Sequence, residues 1–205
     1  MPGAGARLKK SIYSMHPSIA MEEASIANLP KKTGKSLEQW LALIKKSGPP
    51  TMKERREWLK SEHGMTTNYA WFVAERAEGK GSFADNYDPE SYVEAIFDGP
   101  KGVFRPIYHA ILDYGFKLGK DVKVCPCQTM IPFYRKHVFA QVKVPNRSRI
   151  DLGFALKDTP VKGHLIDTGG FAKKDRITHR IEIASLTDFD DEAKKWMTKA
   201  YEMDA

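Results

Sequence analysis

The sequence predicts an α+β protein, a small N-terminal helical unit followed by an antiparallel sheet packed against helices. Three observations carry that expectation. Between residues 122 and 156 apolar residues recur at every second position, the period of a strand with one covered face. Between 33 and 78 they recur at spacings of three and four, punctuated by Ser/Thr starts and Gly/Pro stops. The helical period returns at 88–118 and 188–203, on either side of the strands, so helices are available to close the sheet's apolar face.

In chain order, residues 1–30 read as a tail and a short helix, Glu22 to Leu29, ended by Pro30. Residues 31–80 read as a three-helix unit. Ser36 with Gln39 makes a capping box ahead of Leu37, Trp40, Leu41 and Ile44, and Gly48-Pro49-Pro50 stops that helix. Thr51 with Glu54 repeats the device ahead of Trp58 and Leu59, ending at His63-Gly64. Thr66 or Thr67 opens the third helix, with Ala70, Trp71, Ala74 and Ala77 turned inward. Residues 81–87 form a linker.

The α+β domain is expected over 88–205. Asp88 caps a helix with Pro89 at its first position. A second helix starts near Arg105, since Pro106 fits only in a first turn, and shows Ile107, Ala110, Ile111, Tyr114 and Leu118 on one side. Strands follow at 121–126 and 130–134, the latter marked as an edge or bulged piece by Pro132. In the next hairpin Val138, Ala140, Val142 and Val144 alternate with Phe139, Gln141 and Lys143. Ile150, Leu152, Phe154 and Leu156 alternate with Arg149, Asp151, Gly153 and Ala155. A polar loop, 157–174, leads to a last strand in which Ile177, His179, Ile181 and Ile183 alternate with Thr178, Arg180 and Glu182. Asp188 with Asp191 opens a closing helix.

The 205-residue chain can bury a core without metal or disulfide staples. Its N-terminus lacks a signal-peptide core, and no apolar run approaches the roughly 20 residues of a membrane span, so the reading is cytoplasmic with no membrane partner. Cys125 and Cys127 flank Pro126, a spacing that suits neither zinc nor redox pairs, and they read as reduced structural thiols. No metal or cofactor is expected.

The net charge of +7 is unevenly spread: residues 100–187 hold 16 Lys/Arg against 7 Asp/Glu, while 88–99 and 188–205 are acidic. Such a balance favours a polyanion, with nucleic acid the leading case. Lys143 and Arg149 flank one turn, Arg135, Lys136 and Arg180 come from neighbouring segments, and Arg105 opens a helix near Tyr108. With Tyr134 or His179 adding a hydrogen-bond donor, these residues are the candidate anion site, because arginine forks suit phosphates and carboxylates. The bland alternative pairs them with Asp151, Asp175 and Glu182 on an ordinary charged surface. In the helical unit Lys53, Arg55, Arg56 and Lys60 are the better phosphate contacts, because the helix from Thr67 to Glu78 offers more acid than base.

Catalytic signatures are lacking. There is no Gly-x-Gly-x-x-Gly, phosphate loop, His-Glu-x-x-His or Gly-x-Ser-x-Gly, and Asp167-Thr168-Gly169 has no paired acid for aspartic-protease chemistry. No residue is assigned a catalytic role, and whether the chain is an enzyme stays open.

The residues 33–36 (Thr-Gly-Lys-Ser), Glu38, Trp40, Gly48, Trp58-Leu59, Glu62-His63-Gly64 and Ala70 resemble the bacterial domain-of-unknown-function family 4287. Arg105-Pro106-Ile107-Tyr108, Phe133-Tyr134-Arg135-Lys136, Phe139-Ala140, Leu152-Gly153 and Thr178-His179-Arg180 resemble family 5655. The resemblance implies a two-part architecture and no mechanism. Three readings follow: non-catalytic recognition of an anionic partner through the basic sheet face; a small-molecule or nucleotide enzyme with a pocket between the sheet and the 157–176 loop near His179; and a protein-interaction module using the helical unit.

Overall fold

The computed structural model describes residues 11–79, 81 and 84–205. Residues 15–87 pack as one compact unit, and residues 88–205 pack with the segment ending at Ser14 as the other. The expected linker and N-terminal tail lie partly outside the described residues.

The first unit is four helices, the expected three and, ahead of them, the short helix expected at Glu22 to Leu29, which is longer than expected: α1 (Pro17–Thr33), α2 (Leu37–Ser47), α3 (Met52–Ser61) and α4 (Thr67–Arg76). Both expected capping boxes form, Ser36 with Gln39 and Thr51 with Glu54, so each helix start satisfies two orphan N–H groups locally. The expected stop at Pro30 does not occur. Helix α1 runs through it to a left-handed Gly34, whose N–H donates to the Pro30 carbonyl at 2.8 Å. Proline removes one ladder bond, but Leu29 beside it is fully buried and Thr33 is tied both to the Leu29 carbonyl and to the Trp40 indole. Tertiary packing outweighs the local break. Leu29, Trp40, Ile44, Leu59, Met65, Ala70, Val73 and Ala74 form this unit's core.

The second unit has α5 (Pro89–Ile96), a 3-10 turn (Gly99–Phe104) and α6 (Arg105–Leu118), then six strands and α7 (Asp191–Met203). The Asp88 carboxylate accepts the Ser91 N–H as the cap of α5. The strands are β1 (Lys123–Val124), β2 (Ile131–Tyr134), β3 (Val138–Lys143), β4 (Ile150–Phe154), β5 (Ile166–Asp167) and β6 (His179–Ile183), all antiparallel, in the order β1-β2-β3-β4-β6-β5. Residues 11–14 belong to this unit: the Ser14 N–H donates to the Val124 carbonyl, and the Tyr108 hydroxyl donates to that of Tyr13.

The β3–β4 register sets Ala140 opposite Phe154 and Val142 opposite Leu152 on one face, and Gln141 opposite Gly153 and Lys143 opposite Asp151 on the other. The expected greasy face is therefore real, and α6 and α7 share one buried core with it. Two residues depart from the alternation. Phe133 pairs with Ala140 but Tyr134 pairs with Val138, so Phe139 is the extra residue of a bulge and is buried against Phe133 and Tyr201. Ile177 precedes β6 and lies on the polar face, its Cγ2 only 2.8 Å from where a Cβ on Gly153 would stand. The glycine makes the room.

Helix α6 approaches β2 closely at Gly115. A Cβ there would meet the Phe133 ring at 2.6 and 2.9 Å and the Met197 methyl at 3.2 Å. Gly115→Ala is expected to destabilise the unit by roughly 2 kcal/mol, because overpacking a closed core outweighs alanine's gain of about 1 kcal/mol in helix propensity. Urea unfolding checks this; a variant as stable as the parent would mean that the α6–β2 approach is looser than described.

Candidate anion-binding cavities

Of the cations expected on the sheet's polar face, Lys143, Arg149 and Arg180 are there, and carboxylates meet both arginines. Arg149 Nε donates to Asp151 at 2.7 Å and its Nη2 lies 3.1 Å from Glu182. Arg180 Nη2 lies 2.7 Å from the same Glu182, with Nε 3.8 Å from Asp151. Two arginines and two carboxylates thus close a charge-balanced lattice across β4 and β6. Lys143 sits opposite Asp151 in register without an ion pair of its own. At half-exposed positions such pairs add little stability, but they leave little net field for a polyanion.

The remaining candidates lie elsewhere. Arg105 forks onto Glu94 through Nη1 at 2.9 Å and Nη2 at 2.6 Å, and stacks over Phe97. Arg135 donates to Asp121 at 2.9 Å and lies over the Tyr201 ring, and the Tyr201 hydroxyl together with Arg135 holds Asp121 below the usual carboxylate range. Lys136 is exposed in the β2–β3 turn. Tyr108 is fully buried, and burial with its Tyr13 bond pushes its hydroxyl far up. Tyr134 is half-buried, and burial with the neighbouring Cys125 and Cys127 thiols pushes it up to about 12. His179 points to the core face opposite Phe154, 3% exposed, its Nδ1 2.8 Å from the Thr178 hydroxyl. The structure therefore gathers Lys143, Arg149 and Arg180 on one face and does not bring Arg105, Tyr108, Tyr134, Arg135, Lys136 or His179 to them.

Two of the four phosphate contacts expected in the helical unit are also engaged: Arg55 bonds Glu78 and the Pro49 and Pro50 carbonyls, and Lys60 bonds Glu57, while Lys53 and Arg56 have no ion-pair partner among the described residues. No large exposed apolar residue falls between 36 and 78, which leaves the protein-docking reading of that unit without its patch. Asp167 of the Asp-Thr-Gly tripeptide accepts the Gly169 N–H at 2.7 Å, as a turn residue does. Neither cysteine is in a disulfide, and burial pushes Cys125 up to about 12. Among the described residues there is no group of three metal-ligating side chains and no helix long and apolar enough to cross a membrane.

A different set of cations converges under the 157–176 loop. A cavity of about 580 Å³ is lined by Ala155, Lys157, Phe171, Lys174, Arg176 and Thr178, with Ala172 and Asp175, a volume in the range of small-molecule sites. Lys157 (φ 54°) and Lys174 (φ 59°) are the two non-glycine residues with positive φ among the described residues. That backbone costs a lysine energy, and such strain concentrates at ligand sites. Neither ammonium has a carboxylate partner among the described residues. Arg176 is fixed, its Nε donating to the Val138 carbonyl at 2.8 Å and its Nη2 donating to Asp204. Asp204 is buried and also accepts the His137 N–H at 2.7 Å and bonds the His137 ring at 3.0 Å. Arg176 and Asp175 also line a second cavity of about 420 Å³, with Gln141, Lys143, Thr168 and Ile177. The loop was legible as a pocket wall, but Lys157 and Lys174 were missed, because nothing in a polar loop announces a left-handed lysine.

The fold and these cavities define a two-part protein, a helical unit joined to an α+β unit whose six-stranded sheet carries a loop-covered, cation-lined cavity. The chain belongs to the family described as "Domain of unknown function (DUF5655)", whose model matches residues 93–204, and residues 22–79 match a second model, "Domain of unknown function (DUF4287)". The resemblance drawn from the sequence motifs holds for both parts. No curated protein and no solved structure matches the chain.

Proposed function

We propose that the α+β unit recognises a small organic anion, without catalysis, in the cavity under the 157–176 loop. The observation that carries this reading is the pair of lysines, both held at positive φ, on the walls of one cavity. An unpaired ammonium beside Phe171 suits a phosphate or carboxylate attached to an apolar body. The alternative, a nucleic-acid backbone on the sheet face, has weaker support, because Asp151 and Glu182 already answer Arg149 and Arg180. The enzyme reading has weaker support: His179 is 3% exposed, bonded to the Thr178 hydroxyl, and does not itself line the cavity.

Titration of the whole chain with phenyl phosphate, followed by amide NMR shifts, tests the proposal. Saturable shifts at Ala155, Ala172 and Thr178, and at least a tenfold loss of affinity in a Lys157→Ala/Lys174→Ala double variant, are expected. Shifts confined to 143, 149 and 180 and abolished by Arg149→Glu would favour the sheet face instead. No saturable shift with phenyl phosphate would end the cavity reading.

A further inference from the structure

The smaller cavity asks for something other than charge. Gln141 and Lys143 stand two apart on β3 and so share the polar face, and Asp175 closes the opposite side. The Gln141 amide, the Lys143 ammonium and the Asp175 carboxylate have no hydrogen-bond or ion partner among the described residues. Together they offer amide donors and an acceptor, an ammonium donor and an acid acceptor. Gly153 is what keeps the amide in reach: a side chain there would meet Gln141 Cγ at 3.1 Å and Ile177 Cγ2 at 2.8 Å.

The two cavities are continuous in their walls, because Asp175 and Arg176 line both. One side is cationic and apolar, with Lys157, Lys174 and Phe171; the other is polar and mixed in sign. A ligand filling both needs an anionic head and, beyond the shared Asp175 and Arg176, an uncharged group that donates and accepts hydrogen bonds. Adjacent hydroxyls do both, and a carboxylate such as Asp175 accepts from two of them at once.

Resting on the anion reading above, we infer that the ligand is a phosphorylated sugar, its phosphate between Lys157 and Lys174 and its hydroxyls on Asp175, Gln141 and Lys143. Phe171 offers the C–H face of the sugar, or a base attached to it, an apolar surface. A free sugar phosphate and a nucleotide share this chemistry, and the choice of probes separates them.

Calorimetric titrations of the full chain with ribose 5-phosphate, adenosine 5′-monophosphate and phenyl phosphate test the inference. Ribose 5-phosphate is expected to bind at least tenfold more tightly than phenyl phosphate. Gln141→Leu, at a half-exposed position, is expected to bring that ratio close to one while leaving phenyl phosphate affinity within twofold. Tighter binding of adenosine 5′-monophosphate than of ribose 5-phosphate assigns the base to Phe171, and equal binding assigns the free sugar phosphate; both keep the sugar subsite. A parent protein that binds ribose 5-phosphate and phenyl phosphate equally, or a ratio that Gln141→Leu leaves unchanged, overturns the sugar subsite and leaves the anion cavity standing. If none of the three phosphates binds, both readings fall together.

Discussion

Trp40→Ala is expected to lower the stability of the helical unit by about 4 kcal/mol, the range for deleting a large aromatic from a packed core. Trp40 is 1% exposed among Leu29, Ile44, Leu59 and Ala74. Its indole N–H donates to the Thr33 hydroxyl at 2.8 Å, the His63 ring meets it edge-on at 5.0 Å and Lys35 lies over its face. Truncation would therefore open a cavity that three helices border and would strip the Thr33 hydroxyl of its donor. The same change at Trp71, which is half-buried against Phe72, should cost less than half as much. Chemical denaturation with hydrogen exchange at residues 37–76 measures both; a loss under 1 kcal/mol at Trp40 would contradict the packing described.

What the sequence disclosed follows the range of the interactions involved. Helix caps are local, and so the capping boxes of Ser36 with Gln39 and Thr51 with Glu54, and Asp88 ahead of Pro89, were legible as helix starts. The two-residue period laid out the covered and polar faces of β3 and β4, while the register that sets Lys143 opposite Asp151 came only with the structure. The same period held a warning about charge: Arg149 with Asp151, and Arg180 with Glu182, are two apart on one strand and must share a face, so each arginine carried its own neutralising partner. Long-range packing was not legible. Pro30 stays helical because Thr33 and Trp40 hold the turn, Phe139 leaves the alternation through a bulge, and Ile177 crosses to the polar face because Gly153 lacks a side chain. The helices hid the first cation set and the loop hid the second: Arg105 meets Glu94 only after α5 folds against α6, and Lys157 and Lys174 line one cavity only once the chain between them, with β5 in it, packs along the sheet.

Asp204→Ala is expected to remove about 2–3 kcal/mol from the α+β unit, since several charge-assisted hydrogen bonds end on one buried carboxylate. Asp204 accepts from the His137 backbone and ring and from Arg176, and so joins the end of α7 to the β2–β3 turn and to the loop before β6. Burial alone would raise its pKa; the His137 N–H, the His137 ring and Arg176 more than offset that and hold it below its ordinary 3.8. A carboxylate whose folded-state pKa is depressed contributes fully above its unfolded value, and its contribution is lost as pH falls through the lower folded value. The stability gap between parent and variant should thus stay constant from neutral pH to about pH 5, narrow as pH falls past the ordinary value of 3.8, and close only below the lower folded value, where Asp204 is protonated in both folded and unfolded chains. Asp204→Asn, which keeps an acceptor and drops the charge, should fall between the two and show no such closure. The variant also reports on the cavities. Arg176 loses one of its two anchors, so the wall that both cavities share loosens, and phenyl phosphate affinity should drop although Asp204 itself lines neither. A variant that loses stability and binds phenyl phosphate as the parent does would show that Arg176 is held by Val138 alone, and that the clamp serves the fold without serving the cavity.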